Sequence, residues 1–309
     1  MRTTIAPWLA TLVVVAVLTA CTREDSQNKA TTVAGEANNS LTVVTVNYPL
    51  AYFAERILGD YGSVSFPAPA DVDPAYWSPE PADITAYQQA DLILLNGAGY
   101  AAWVANVTLP RSRLIDTTIA VRDRLIPIES DVTHTHGPTG DHSHGGTAFT
   151  TWLDFDLAAA QATAVADAIV AARSEHEAEF RAAFDGLAAD LEALDADLMA
   201  VAEALGDQPV VFSHPVYQYL ERRYNLQAIS VHWEPDELPE EAQWRELQSV
   251  LQRHPAKIMI WEAEPLGETR RRLAELGVQS VVFSPGGNRP ATGDWLDYMK
   301  AGIASLRSQ

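Results

Sequence analysis

Cysteine is almost missing: Cys21 is the single one in 309 residues. Such a chain forms no internal disulfide, and with Cys21 acylated it would have no thiol left for a metal or redox site. Basic residues are also scarce, with 21 Lys and Arg against 41 Asp and Glu and a formal net charge of −20. No basic patch forms, which argues against nucleic acid as a partner. An acidic surface suits solubility, and its field attracts cations without selecting one. After the first twenty residues, no apolar run reads as long enough to span a bilayer. Catalytic signatures are lacking too. There is no Gly-x-Ser-x-Gly and no His-Glu-x-x-His, and Ser213 and His214 are adjacent on a predicted strand, so they point apart and make no triad. No general base is placed by spacing for a metal-activated water. The chain therefore reads as a non-enzyme. Gly97-Ala98-Gly99 lacks the rest of a nucleotide fingerprint.

What is present starts at the N-terminus. Arg2 precedes a mostly apolar segment from Ile5 to Ala20, the layout of a secretory signal. It has about 16 residues, short of the roughly 20 a spanning helix needs. Its end, Leu18-Thr19-Ala20-Cys21, resembles the lipobox of bacterial lipoproteins. That resemblance implies cleavage before Cys21, lipid on its sulfur, and a protein held at a membrane outside the cytoplasm, in a periplasm or on the outer face of the cytoplasmic membrane. Residues 22–40 are polar and read as a flexible tether.

Further on, short β-branched runs alternate with helical patterns, which predicts an α/β fold with mostly parallel sheets. The expected organisation is a signal peptide at 1–20, a tether at 21–40 and an N-terminal α/β lobe at 41–155. One long helix at 156–205 would lead to a C-terminal α/β lobe at 206–309. Unbroken, that helix would extend about 75 Å. A polar, His- and Gly-rich loop at 130–147 interrupts the first lobe. No internal sequence repeat is visible.

Several segments carry a resemblance over nearly the whole chain after the tether. They are Tyr87-Gln88-Gln89-Ala90-Asp91-Leu92-Ile93-Leu94-Leu95-Asn96-Gly97, the His-rich loop, Trp152-Leu153-Asp154, Val211-Phe212-Ser213-His214 and residues 274–282. Together they resemble the zinc- and manganese-specific substrate-binding lipoproteins of bacterial ABC importers, of the zinc-uptake receptor type (cluster A-I). The resemblance implies two lobes joined by a rigid helix, with metal between them. It also implies four metal-ligand positions. Only His214 carries a ligand among them; the others read Ala75, Thr150 and Ser284 or Pro285. The chain diverges from the family in its metal ligands.

Other donors are at hand. His134-Thr135-His136 and His142-Ser143-His144 are two His-x-His pairs, and residues two apart on an extended chain share a side. Gly137, Pro138 and Gly140 let the pairs fold face to face, with Asp131 and Asp141 able to ligate or orient rings. The plain alternative is a solvated tract that scavenges metal weakly. His214 and Glu262 each end a predicted strand. The expected metal set is thus His134, His136, His142, His144, His214 and Glu262. His232 and Glu234 are secondary candidates and Glu80 a weaker one. His176 and His254 read as surface residues. Trp77, Tyr100 and Trp103 are either cleft lining or ordinary packing.

The expected function is an extracytoplasmic receptor that captures Zn(II) and delivers it to an ABC permease and its ATPase, working as a monomer. Imidazole donors favour zinc over Mn(II), which prefers oxygen. Two alternatives stand beside it: the same fold with a changed ligand, such as a metal chelate or organic solute, and a lipid-anchored adhesion or interaction protein.

Overall fold

The computed structural model describes residues 40–128, 133–135, 141–143 and 146–309. The signal segment, Cys21, the tether, His136 and His144 lie outside the described residues.

Two four-stranded parallel sheets organise the chain. The first contains β1 (Leu41–Thr45), β2 (Gly62–Ser65), β3 (Leu92–Leu95) and β4 (Leu114–Asp116), in the order β2-β1-β3-β4. Helix α1 (Tyr48–Leu58) follows β1, and α2 (Pro81–Gln89) precedes β3. Asn47 caps α1 by accepting from Leu50 N, and Pro49 sits in its first turn, where a missing N–H costs nothing. Two small hairpin-like pairs follow. β5 (Pro127–Ile128) pairs antiparallel with β8 (Gly146–Thr147), and β6 (Thr133–Thr135) with β7 (Asp141–Ser143), with position 134 opposite position 142.

The expected single helix over 156–205 is two helices. Helix α3 (Phe155–Ala172) ends at Arg173, whose φ of −143° and ψ of 63° leave the helical region, and α4 (Glu177–Leu205) folds back on it. Asp154, 2% exposed, caps α3 by accepting from Asp156 N and Leu157 N. α3 is also long and apolar enough to cross a membrane by length and composition, which corrects the reading of the sequence on that point. Here it is a core helix packed on α1 and α4.

The second sheet contains β9 (Pro209–Phe212), β10 (Gln227–Ser230), β11 (Ile258–Trp261) and β12 (Gln279–Val282), in the order β10-β9-β11-β12. Its helices are α5 (Gln218–Tyr224), α6 (Glu241–Arg253), α7 (Gly267–Glu275) and α8 (Trp295–Arg307). The strand order of the first sheet is thus repeated, although the sequence shows no repeat.

Buried parallel strands are apolar on both faces, and alternation assigns each residue to one of two cores. Ile258 and Ile260 of β11 join a core that runs from Leu41 to Leu306 through both lobes; Met259 and Trp261 join a second core with Trp233 and Trp244. α8 packs on β12 but also on α4 and α1. Trp295 at its start lies 5.3 Å from the Phe53 ring and 5.7 Å from that of Tyr52.

Candidate metal-binding cleft

In an open parallel sheet, the crevice at the strand C-termini opens where the connections diverge. Here that point lies between β1 and β3 in the first lobe and between β9 and β11 in the second. In the first lobe the crevice is plugged. Asn47 follows β1, Asn96 follows β3, and Asn47 Nδ2 donates to Asn96 Oδ1 at 3.1 Å. Gln161 Nε2 of α3 donates to the same oxygen at 3.1 Å, and Asn96 Nδ2 donates to the Phe149 carbonyl at 2.9 Å. Both asparagines are fully buried. Gly97 beside them has φ +74°, and a Cβ there would strike Thr118 Oγ1 and the Asp116 carboxylate.

In the second lobe the same point carries a histidine and a glutamate. His214 follows β9 and Glu262 follows β11, and both line a cavity of about 430 Å³ between the lobes. The first lobe supplies Asp73, Tyr76, Tyr100, Phe149, Thr150 and Trp152 to its wall. His214 is 4% exposed, and its Nδ1 lies 3.4 Å from Glu234 Oε1. The rings of His214 and His232 stand edge to face with centres 5.8 Å apart. Burial raises the Tyr76 phenol above its usual value, and the carboxylates of Asp73, Glu262 and Glu234 push it further the same way. Negative charge from both lobes therefore converges on this cavity. Burial likewise pushes the Tyr100 and Tyr217 phenols well above their usual value.

Of the positions where the resemblance implied ligands, Thr150, His214 and Ser284 line the cavity, and Pro74 and Tyr76 line it on either side of Ala75. Thr150 Oγ1 donates to the Val216 carbonyl at 2.5 Å and so ties the lobes. Glu80 is part of a capping box at α2 and does not line the cavity. Trp77 and Trp103 pack edge to face at 6.3 Å, and Tyr100 alone of the three aromatics lines the cavity. His176 and His254 are half-buried rather than on the surface. The His176 ring packs on Tyr61 at 4.3 Å, and His254 Nε2 lies 2.8 Å from the Val210 carbonyl oxygen. Positions 134 and 142 are paired in the small hairpin. Among the described residues, no group of three or more His, Cys, Asp or Glu side chains is placed to hold a metal ion.

The periplasmic zinc-uptake complex component A (ZnuA) family model matches residues 43–309. The chain belongs to this family. Among curated zinc-uptake relatives, it is 24% identical over 257 residues to the high-affinity zinc uptake system protein ZnuA of Bacillus subtilis (strain 168), covering 81% of this chain and 80% of that protein. It is also 24% identical over 263 residues to the zinc-binding protein AdcA of a Streptococcus pyogenes serotype M3 strain, and there the match spans 51% of the relative's length. The fold superposes on the metal-dependent lipoprotein YcdH of Bacillus subtilis with a TM-score of 0.75 at 21% identity, covering 87% of this chain and 99% of that one. Against Zn(II)-bound AdcA of Streptococcus pneumoniae the TM-score is 0.74 at 19% identity, covering 87% of this chain and 57% of that one.

The family segments quoted from the sequence have physical tasks in the fold. Tyr87 Oη donates to the Thr45 carbonyl at 2.8 Å, Asp91 accepts from Thr42, and Asp154 caps α3 while facing Arg124, Arg222 and Arg223. These residues hold the frame.

Proposed function

We propose that the chain is an extracytoplasmic receptor that captures Zn(II) in the interlobe cavity and delivers it to an ABC permease, with transport energy supplied by the partner ATPase. The observation that carries this reading is His214 at the crevice of the second sheet, facing Glu234 at 3.4 Å with Glu262 in the same cavity. Membership of a zinc-uptake family supports zinc as the cargo rather than Mn(II). In this reading His214 and Glu262 are the fixed part of the site. The His134–His144 loop folds over to supply the imidazoles that Ala75 and Thr150 lack. The pairing of positions 134 and 142 in one hairpin supports bringing those two His-x-His pairs together. Release follows from a modest movement of the lobes that spoils the ligand geometry. The receptor has no chemistry of its own and works as a monomer. Cys21 carries the lipid that keeps it beside the permease.

A second reading is favoured by one observation. The cavity, about 430 Å³, is many times the ~30 Å³ share of a single water molecule, and three implied ligand positions hold Ala75, Thr150 and Ser284. A metal chelate or small organic solute would use that room. Titration of the full chain, purified in detergent, with Zn(II) against a competing chelator separates the two readings. Tight one-to-one binding of the bare ion supports the first. No binding of the bare ion sinks it, and leaves the receptor with a changed ligand.

A further inference from the structure

The wall that the first lobe gives to the cavity is largely aromatic. Tyr76, Phe149, Tyr100 and Trp152 all line it, and they form a chain of edge-to-face contacts with ring centres 6.2, 5.3 and 5.8 Å apart. Ring faces offer zinc no nitrogen or oxygen donor to replace the water it gives up. The wall from the second lobe is polar, with His214, Glu234, Glu262 and Ser284. The volume of about 430 Å³ falls among pockets for small organic ligands, roughly 300–1,000 Å³. Hydroxyls at two of the implied ligand positions are already engaged. Thr150 Oγ1 holds the Val216 carbonyl, and Ser284 Oγ accepts from Gly286 N at 3.3 Å. Among the described residues no three His, Cys, Asp or Glu side chains are placed to hold an ion, so this wall offers fewer protein donors than the four or so that zinc takes. Tyr100 adds a further observation. Its Oη is buried without a hydrogen-bond partner, and a Cβ on Gly287, another lining residue, would lie 3.8 Å from it. A buried donor left unmade is costly and uncommon.

We infer that the cavity takes Zn(II) as a complex with a small flat chelator, an aromatic acid carrying nitrogen and oxygen donors, rather than as the bare ion. This rests on the receptor reading and specifies its cargo. His214 supplies the protein's imidazole, with Glu234 Oε1 3.4 Å from its Nδ1 to orient the ring. The chelator brings the donors that Ala75, Thr150 and Ser284 do not. Its ring lies against the aromatic wall, where stacked and edge-to-face contacts favour a flat partner. An acceptor atom on its rim gives the Tyr100 hydroxyl the partner it lacks. Charge agrees with this assignment. A divalent ion with a monoanionic chelator stays cationic, and Asp73, Glu234 and Glu262 line the cavity from both lobes. The same carboxylates repel the chelator when it comes without metal. The second lobe thus reads the metal and the first lobe reads the organic part.

The test is equilibrium dialysis of the full chain, purified in detergent, at buffered free Zn(II). Picolinate serves as the flat chelator, and nicotinate, its isomer whose nitrogen is placed where it cannot chelate, as the control. Picolinate is expected to be retained only with Zn(II), in equal amounts of picolinate, zinc and protein. It should also tighten zinc binding by at least about tenfold, within the usual range for coupled ligands; nicotinate should do neither. Tyr100→Phe keeps the ring and should cut that gain by about threefold or more. Because the hydroxyl has no partner to lose, the same variant should not lower the melting temperature of the metal-free protein. Equal zinc affinity with and without picolinate overturns the proposal and leaves a receptor for the bare ion. Retention of picolinate without zinc overturns it in favour of an organic solute. A gain untouched in both Tyr100→Phe and Phe149→Leu takes the aromatic wall out of the site and overturns it as well. Failure of the receptor reading looks different: wild type then holds neither zinc nor picolinate, alone or together.

Discussion

Trp152 Nε1 donates to the Pro285 carbonyl at 2.7 Å, across 133 residues of sequence and from one lobe to the other. The indole is 1% exposed and its ring forms part of the cavity wall. It is one of several bonds across the cleft. Tyr219 Oη donates to the Ala148 carbonyl at 2.8 Å, and Asn288 Nδ2 donates to the carbonyls of Pro69 and Val72 at 2.7 and 2.8 Å. A relative movement of the lobes has to strain or break these bonds.

Replacing Trp152 by Phe keeps a ring in place but strands the Pro285 carbonyl. A buried acceptor left unmade costs about 1–3 kcal/mol. Urea denaturation of the metal-free protein should show a loss of that size, and stopped-flow chelation should show faster release of Zn(II). Unchanged stability would mean that water replaces the indole at no cost.

Trp295 lies at the start of α8 and contacts Phe53, Tyr52 and Phe155, the last with ring centres 6.3 Å apart. Trp295→Ala empties a fully buried site and should cost about 3–5 kcal/mol in denaturant titrations. Its Nε1 has no hydrogen-bond partner among the described residues. Trp295→Phe therefore gives up no bond and should cost less than half as much. Equal losses from the two substitutions would contradict that account.

Gln161 stitches α3 to the first sheet. Its Nε2 donates to Asn96 Oδ1 and to Thr117 Oγ1 at 2.9 Å, and its Oε1 accepts from Thr151 Oγ1 at 2.9 Å. Gln161→Leu matches the volume but leaves buried polar neighbours short of partners, for about 1–3 kcal/mol of lost stability by thermal or urea unfolding. Because Asn96 also holds the Phe149 carbonyl, the same variant should weaken Zn(II) binding through the cavity wall.

Burial tends to raise the Asp91 carboxyl, but hydrogen bonds from Thr42 N at 2.9 Å and Thr42 Oγ1 at 2.7 Å outweigh it and hold the group below the ordinary carboxylate value. A carboxyl depressed on folding contributes stability that is fully present above its unfolded value of about 3.9 and is lost as pH falls through the folded one. Melting temperatures of wild type and Asp91→Asn should therefore differ at neutral pH and converge in strong acid. A gap that persists in acid would show that charge is not what Thr42 stabilises.

Most elements can be read from sequence because the strands are short β-branched or aliphatic runs, such as Leu41–Thr45 and Ile258–Trp261, with Pro or Gly near their ends. The fold-back at Arg173 was not legible. Neither Pro nor Gly marks it, and the turn is imposed by the packing of α3 against α4 and α1. β4 carries no signal in the sequence, because three residues show no periodicity. The position of His214 at a strand end, beside the cavity, was legible. The Asn47–Asn96 plug was not, since it depends on which strands become neighbours. The partnership of His214 with Glu234 and His232 needed the sheet order for the same reason, although the alternation Val231, His232, Trp233, Glu234 was a usable signal.

The placement of α8 has a consequence for the order in which the protein is made. Trp295 fills a gap among Tyr52, Phe53 and Phe155, so the first lobe to leave the ribosome cannot seal its interior until the helix at 295–307 arrives. The first lobe therefore gains this buried ring only when synthesis is nearly complete. A premature stop before Trp295 should yield an open, protease-sensitive product rather than a smaller working protein.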